Sequence, residues 1–134
     1  MTNDTPIIVW FRQDLRLSDN PALYEAVRTG LRVIPVYILD DEAAGDWQPG
    51  AAGRWWLHHS LTALQKSLRG KGAELHIFKG DTIAQLANVI KKTGAGAIYW
   101  NRCYEPWRQT VEKNVSKWSG ENNIETANFN AGLI

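Results

Sequence analysis

The side chains best suited to chemistry crowd one short stretch, Trp10-Phe-Arg-Gln-Asp-Leu-Arg-Leu-Ser-Asp-Asn-Pro21. Arg12 and Arg16 alternate there with Asp14 and Asp19. Such a cluster has two uses. Arg12 paired with Asp14 or Asp19 would pin a turn. Alternatively, Arg12 or Arg16 would present its planar donor fork to an anion or to a partner domain. A third arginine, Arg54, opens a helical pattern. A cation at a helix N-terminus opposes the macrodipole, so Arg54 points to a further purpose, such as an acidic ligand or partner. Cys103 is the single cysteine. A nucleophilic thiol needs an activating base, and the sequence names none.

Several other chemistries are excluded. The stretch after Phe11 has no glycine, so it is neither a dinucleotide fingerprint nor a phosphate-cradling P-loop. Gly94-Ala-Gly96 leads into a strand and reads as a helix stop. No Gly-x-Ser-x-Gly elbow occurs. His58 and His59 are adjacent on a helix, so they point apart and cannot chelate one metal together. A lone cysteine offers no zinc pair. No metal site is expected.

The elements that must position the remaining residues alternate cleanly. Ile7-Ile-Val-Trp-Phe11 reads as a buried strand. Asn20 and Pro21 read as the N-cap and first residue of a helix, with Leu23, Ala26 and Val27 on its apolar stripe. Residues 33–39 form a second strand, to which Pro35 is a mild objection. A loop over 40–53 holds Asp40, Asp41, Glu42 and Trp47. Leu57, Leu61, Leu64 and Leu68 mark the next helix over 54–68. Residues 74–79 form strand three, with Leu75 and Ile77 facing one way. Asp81 caps a helix carrying Ile83, Leu86, Ala87 and Ile90. Residues 97–100 are strand four. Pro106 starts a helix with Trp107, Val111, Val115 and Trp118 inward. Residues 124–129 are strand five.

Strands separated by helices cannot pair as hairpins. The expected fold is therefore α/β, a doubly wound, Rossmann-like, five-stranded parallel sheet with right-handed crossovers and helices on both faces. Ligands of such sheets sit beyond the carboxyl ends of the strands. Those ends are residues 12–20, 40–53, 79–81, 101–105 and the tail after Phe129.

Size and composition agree. A chain of 134 residues is the length of one domain, here residues 1–134, and suffices for its own core. With 44% hydrophobic and 22% charged residues, disorder is not expected. A net charge of +1 argues against a basic nucleic-acid module. One cysteine permits no intrachain disulfide and fits a reducing, cytoplasmic setting. No apolar run approaches the ~20 residues that span a bilayer. Residues 1–6 carry Asp4 and no basic side chain, so they are not expected to act as a secretory signal.

Trp10-Phe-Arg-x-Asp-Leu-Arg-x-x-Asp-Asn20 resembles the opening signature of the DNA photolyase and cryptochrome family. Arg54 followed by Leu57, Ser60-Leu61 and Leu64 is similar to the family's second-helix pattern. Tyr99-Trp-Asn101, then Tyr104-Glu-Pro106, resembles its fourth-strand motif. The three blocks occur in the family's order and span nearly the whole chain.

The resemblance implies an N-terminal α/β domain that continues into a larger helical domain. That helical domain holds FAD, binds damaged DNA and splits pyrimidine dimers under blue light. The α/β domain often carries an antenna chromophore, a deazaflavin, a flavin or methenyltetrahydrofolate, which passes excitation energy to FAD. The chain is therefore expected to be the antenna domain of a photolyase-like flavoprotein, with damaged DNA met only through the helical partner and no membrane involved. It is not itself catalytic. The alternatives are a stand-alone nucleotide- or flavin-binding module, or a cryptochrome photoreceptor domain without lyase activity.

The resemblance places antenna contacts at Tyr37, Asp40, Arg54, Asn101, Cys103 and Glu105. Arg54 would pair with an anionic deazaflavin or a flavin phosphate, and Glu105 would accept from a ring N–H. Cys103 departs from the acidic residue of deazaflavin binders. Trp107-Arg108 stands where folate-binding members have an Asn-Glu pair.

The chain has seven tryptophans, and they divide by position. Trp107 and Trp118 read as core. Trp55 and Trp56 are adjacent on a helix, so one is expected inside while the other meets a missing domain or a chromophore. Trp47 is expected to be exposed. A domain taken from a larger protein should also show an apolar patch where its partner docks.

Overall fold

In the computed structural model, which describes residues 5–12, 15–40 and 50–130, the apolar run Ile7–Phe11 forms strand β1, buried along its whole length. The chain continues through α1 (Pro21–Arg28), β2 (Val33–Leu39), α2 (Ala51–Arg69), β3 (His76–Lys79), α3 (Thr82–Thr93), β4 (Ala97–Asn101), α4 (Pro106–Glu121) and β5 (Glu125–Phe129). The strands form one sheet in the order β3-β2-β1-β4-β5, and every neighbouring pair is parallel. The doubly wound α/β architecture expected from the sequence is the one found.

Strand periodicity divides the core. Ile8 and Trp10 share one cluster with Leu86 and Val89 of α3 and Val115 of α4. Ile7, Val9 and Phe11 share the other with Ala26 of α1 and Leu64 and Leu68 of α2. Both faces of β1 are thus covered, which is why its sequence is continuously apolar rather than alternating. Pro35 is tolerated because β3 pairs with β2 only from Val36 onward. At Pro35 one side of β2 has no ladder to interrupt.

Local chemistry sets the helix ends. Asn20 caps α1 and Pro21 follows it. The Asp81 carboxylate accepts from the Ala84 N–H at 2.9 Å. Gly94 closes α3 in the left-handed conformation, φ 75°, where a side chain would be strained. At the far end of α2, Arg69 and Glu74 pair at 3.1 Å. The hydrogen bond from Arg69 holds the Glu74 carboxyl below its ordinary value.

Three expectations about facing need correction. Val27 is 60% exposed, while Ala22 and Ala26 are fully buried. The alanine line lets α1 lie close to the sheet and turns Val27 outward. Ile77 is 48% exposed, and Phe78 packs on the core instead. Register explains this: Phe78 lies beside Ile38 and shares its covered face. Trp55 and Trp56 are both exposed, at 58% and 66%, so neither packs inside. Leu64 and Leu68, further along α2, make its buried contact. Trp47, with the rest of 41–49, lies outside the described residues. No helix among those described is long and apolar enough to cross a membrane.

Leu86 has no exposed surface and Val27 has much. Leu86→Ala is therefore expected to cost ~2–5 kcal/mol of stability, and Val27→Ala less than ~0.5 kcal/mol, both read from urea unfolding midpoints.

Candidate functional site

Beyond β1 the chain winds outward through β2 and β3, then returns to the opposite edge of β1 as β4. The loops leaving β1 and β4 diverge there, which opens a crevice at their carboxyl ends. Two asparagines close part of it. Asn101, the last residue of β4, is 3% exposed. Its Oδ1 accepts from the Ala22 N–H at 3.0 Å, and its Nδ2 donates to Asn20 Oδ1 at 2.7 Å. Asn20 Oδ1 also accepts from the Leu23 N–H at 3.1 Å, and Asn20 Nδ2 donates to the Arg16 carbonyl at 3.0 Å. The amides at the start of α1 are therefore occupied by side chains. A phosphate cannot use them as it does in dinucleotide-binding sheets.

Arg12 follows β1 and is 7% exposed. It forms an ion pair with Glu112 of α4. Asp14 lies outside the described residues. Arg12 Nη2 donates to the Arg108 carbonyl at 3.1 Å, and the guanidinium sits 4.4 Å above the Trp10 ring. Trp10 in turn meets Trp100 edge-on at 5.4 Å. Arg16 turns back on its own loop and donates to the Ser18 and Asp19 carbonyls, each at 3.1 Å.

Glu112 went unread in the sequence. The available signal was its place on the line Arg108, Glu112, Val115, Ser119, spaced four, three and four. Val115 and Ser119 on that line are fully buried, so a carboxylate there needs an internal partner.

The other residues singled out spread along the same end of the sheet. Cys103 is 4% exposed, and its N–H donates to Glu112 Oε2 at 2.8 Å. It borders a depression of about 500 Å³ between β4, β5 and α4, together with Trp100, Arg102 and Lys113. Glu105 stands at the N-cap of α4, its carboxylate 3.3 Å from Arg108 Nε. Asp40 follows β2, and its Oδ2 accepts from the N–H and the hydroxyl of Thr82, each at 2.9 Å. Tyr37 is half-buried in β2 beside Phe11. Arg54 is half-buried in the first turns of α2. Cys103 and Arg12 thus meet at Glu112 of α4, whereas Asn101 turns to α1 on the other face of the sheet. Tyr37, Asp40 and Arg54 lie on the β2 side.

The four helix starts among the described residues differ. α1 and α3 are capped by side chains. α2 begins at Gly50 and α4 at Glu105, neither with a side-chain cap. The first N–H groups of a helix have no intrahelical partner, so the start of α2 joins that positive pole to the Arg54 cation. No group of three or more metal-ligating side chains exists among the described residues.

The model of the DNA photolyase family matches residues 7–134. The chain belongs to the DNA photolyase family. A deoxyribodipyrimidine photo-lyase of Agrobacterium fabrum is 43% identical over 129 residues, 96% of this chain and 26% of that protein. Cryptochrome-1 of Arabidopsis thaliana is 41% identical over 128 residues, 95% of this chain and 19% of that protein. Among solved structures, a bacterial class III photolyase from Agrobacterium tumefaciens superposes with a TM-score of 0.88 at 41% identity, covering 97% of this chain and 26% of that one. An archaeal photolyase from Sulfolobus tokodaii, described with two FAD molecules, gives 0.82 at 31% identity, over 94% of this chain and 29% of that one. The chain spans about a quarter of the length of such relatives. These family members carry this α/β unit as one part of a longer protein.

Asn101→Ala removes the acceptor of the Ala22 N–H and a donor to Asn20. It is expected to cost ~1–3 kcal/mol and to speed hydrogen exchange in α1 ahead of α3, whose start Asn101 does not bond.

Proposed function

We propose that this photolyase-family domain holds an antenna chromophore at the carboxyl ends of its strands and serves a FAD-bearing helical domain in a longer protein. The observation that carries the reading is the division among helix starts. The α1 amides are taken by Asn20 and Asn101, while α2 opens without a side-chain cap beside Arg54. An acidic group on the ligand is favoured at α2 and disfavoured at α1. That fits a flavin phosphate or an ionised deazaflavin, with Arg54 as its charge partner. Tyr37 in β2 and Asp40 just after it are the further contacts proposed for this ligand. Asn101, Cys103 and Glu105 line the β4 side, where Glu105 can accept from a ring N–H. Cys103 in place of an acidic residue leaves that side with fewer charges, which favours a flavin over a deazaflavin. A bound chromophore of this class supplies light absorption and transfer of excitation; the protein supplies its place and orientation.

The helical partner is supported by the relatives, which extend well beyond this unit. Damaged DNA would be met through that partner and not here. The exposed Tyr24, Trp55, Trp56 and Tyr104 are the large side chains available to a neighbouring domain. Buried, reduced Cys103 fits a reducing cytoplasm. A second reading, a cryptochrome photoreceptor without lyase activity, rests on near-equal identity to a photo-lyase and to Cryptochrome-1.

The test is titration of the chain with FMN, a deazaflavin and methenyltetrahydrofolate, followed by absorbance and tryptophan quenching. Saturable binding of FMN is expected, and Arg54→Ala should weaken it by ~1.5–3 kcal/mol, the scale of a charged hydrogen bond. Absence of binding by all of these removes the antenna reading. An unchanged Arg54→Ala curve removes that residue from the site.

A further inference from the structure

We propose that Glu112, paired with Arg12, is the positioning residue that holds the loop between β4 and α4 closed over the switch point. Residues 102–105 have no regular structure, so their shape depends on individual bonds. At one end the Arg102 N–H donates to the Phe129 carbonyl at 2.8 Å. Past that point the Cys103 N–H donates to Glu112 Oε2 at 2.8 Å. The same oxygen faces Arg12 Nη1. One carboxylate thus serves a loop amide and a guanidinium at once.

Arg12 cannot move to meet a different partner. It is bonded to the Arg108 carbonyl, lies on the Trp10 ring and is almost wholly buried. Taking a carboxylate away from a buried guanidinium is unfavourable. Removing Glu112 would leave that charge and the Cys103 N–H without their shared acceptor. Opening of the loop, which admits water to both, is the least costly response. Neither Glu112 nor Arg12 needs to touch a ligand to act in this way. Their effect on ligand binding rests on the antenna reading above, whereas the holding of the loop does not.

Cys103 supplies the readout, because it is the only cysteine in the chain and lies inside the loop at 4% exposure. Its reaction with Ellman's reagent in native buffer reports loop opening. Glu112→Ala is expected to speed that reaction by about tenfold or more, the equivalent of one lost charged hydrogen bond. Glu112→Gln should fall between Glu112→Ala and the wild type, since its amide oxygen still accepts from the Cys103 N–H. Replacement of the exposed Glu121 by alanine should change nothing. A wild-type rate in Glu112→Ala overturns the proposal. So does an acceleration that follows urea with the slope of global unfolding, because then the whole domain and not the loop has opened. Should Glu112→Ala fail to fold, Arg12→Lys, which keeps the charge but loses the Arg108 bond and the Trp10 stack, must also speed labelling. An unchanged rate there overturns it equally. FMN titration of the same proteins separates the two readings. If the wild type does not bind FMN, the antenna reading loses its flavin form while the thiol rates still decide the loop. If it does bind, affinity should fall about tenfold in Glu112→Ala and recover partly in Glu112→Gln, and equal affinities overturn the link to the ligand.

Discussion

Strand β1 exposes nothing to water, and that single constraint shapes the rest of the domain. A strand in this position needs a partner strand on each edge and a helical layer on each face. β2 and β4 supply the edges. α1 and α2 cover one face, α3 and α4 the other. Winding in both directions from one central strand leaves a crevice at its own carboxyl end. The position of that crevice therefore follows from the burial of five apolar residues.

The same end of the sheet collects the positive poles of helices, which attract acceptors of any kind. The strands answer some of them with their own terminal side chains. Asn101 at the end of β4 caps α1 from outside, and Asp40 at the end of β2 does the same for Thr82 of α3. Each such bond fixes a helix to a strand and removes a donor from ligand chemistry. Gly50 at α2 and Glu105 at α4 give no such side-chain cap. A photolyase-family domain thus departs from the dinucleotide-binding sheets it resembles in outline. The stretch after β1 holds no glycine-rich turn.

Buried charge is handled by pairing across elements. Arg12 belongs by sequence to an arginine- and aspartate-rich turn, and it forms an ion pair with Glu112 of α4. The pair ties β1 to the last helix, and through the Cys103 amide to the loop between them. The depth of the pair makes this arrangement selective. An exposed arginine could exchange partners at small cost, but one stacked on Trp10 inside the protein cannot.

The sequence by itself determined the order and type of the elements. Their signals are local: apolar runs for strands, Asn20-Pro21 and Asp81 for helix starts, Gly94 for a stop. It also carried the family signature, since Trp10 to Asn20 is a contiguous string. Tertiary structure alone decided which faces are inward where two were available. The closeness permitted by Ala22 and Ala26 turned Val27 out, and strand register chose Phe78 over Ile77. It also decided every polar contact between distant elements, including Arg12 with Glu112 and Asn20 with Asn101, which are 100 and 81 residues apart. Periodicity reports how a segment meets its own neighbours along the chain. It holds no record of which segment lies across the core, and the bonds that shape this site cross the core.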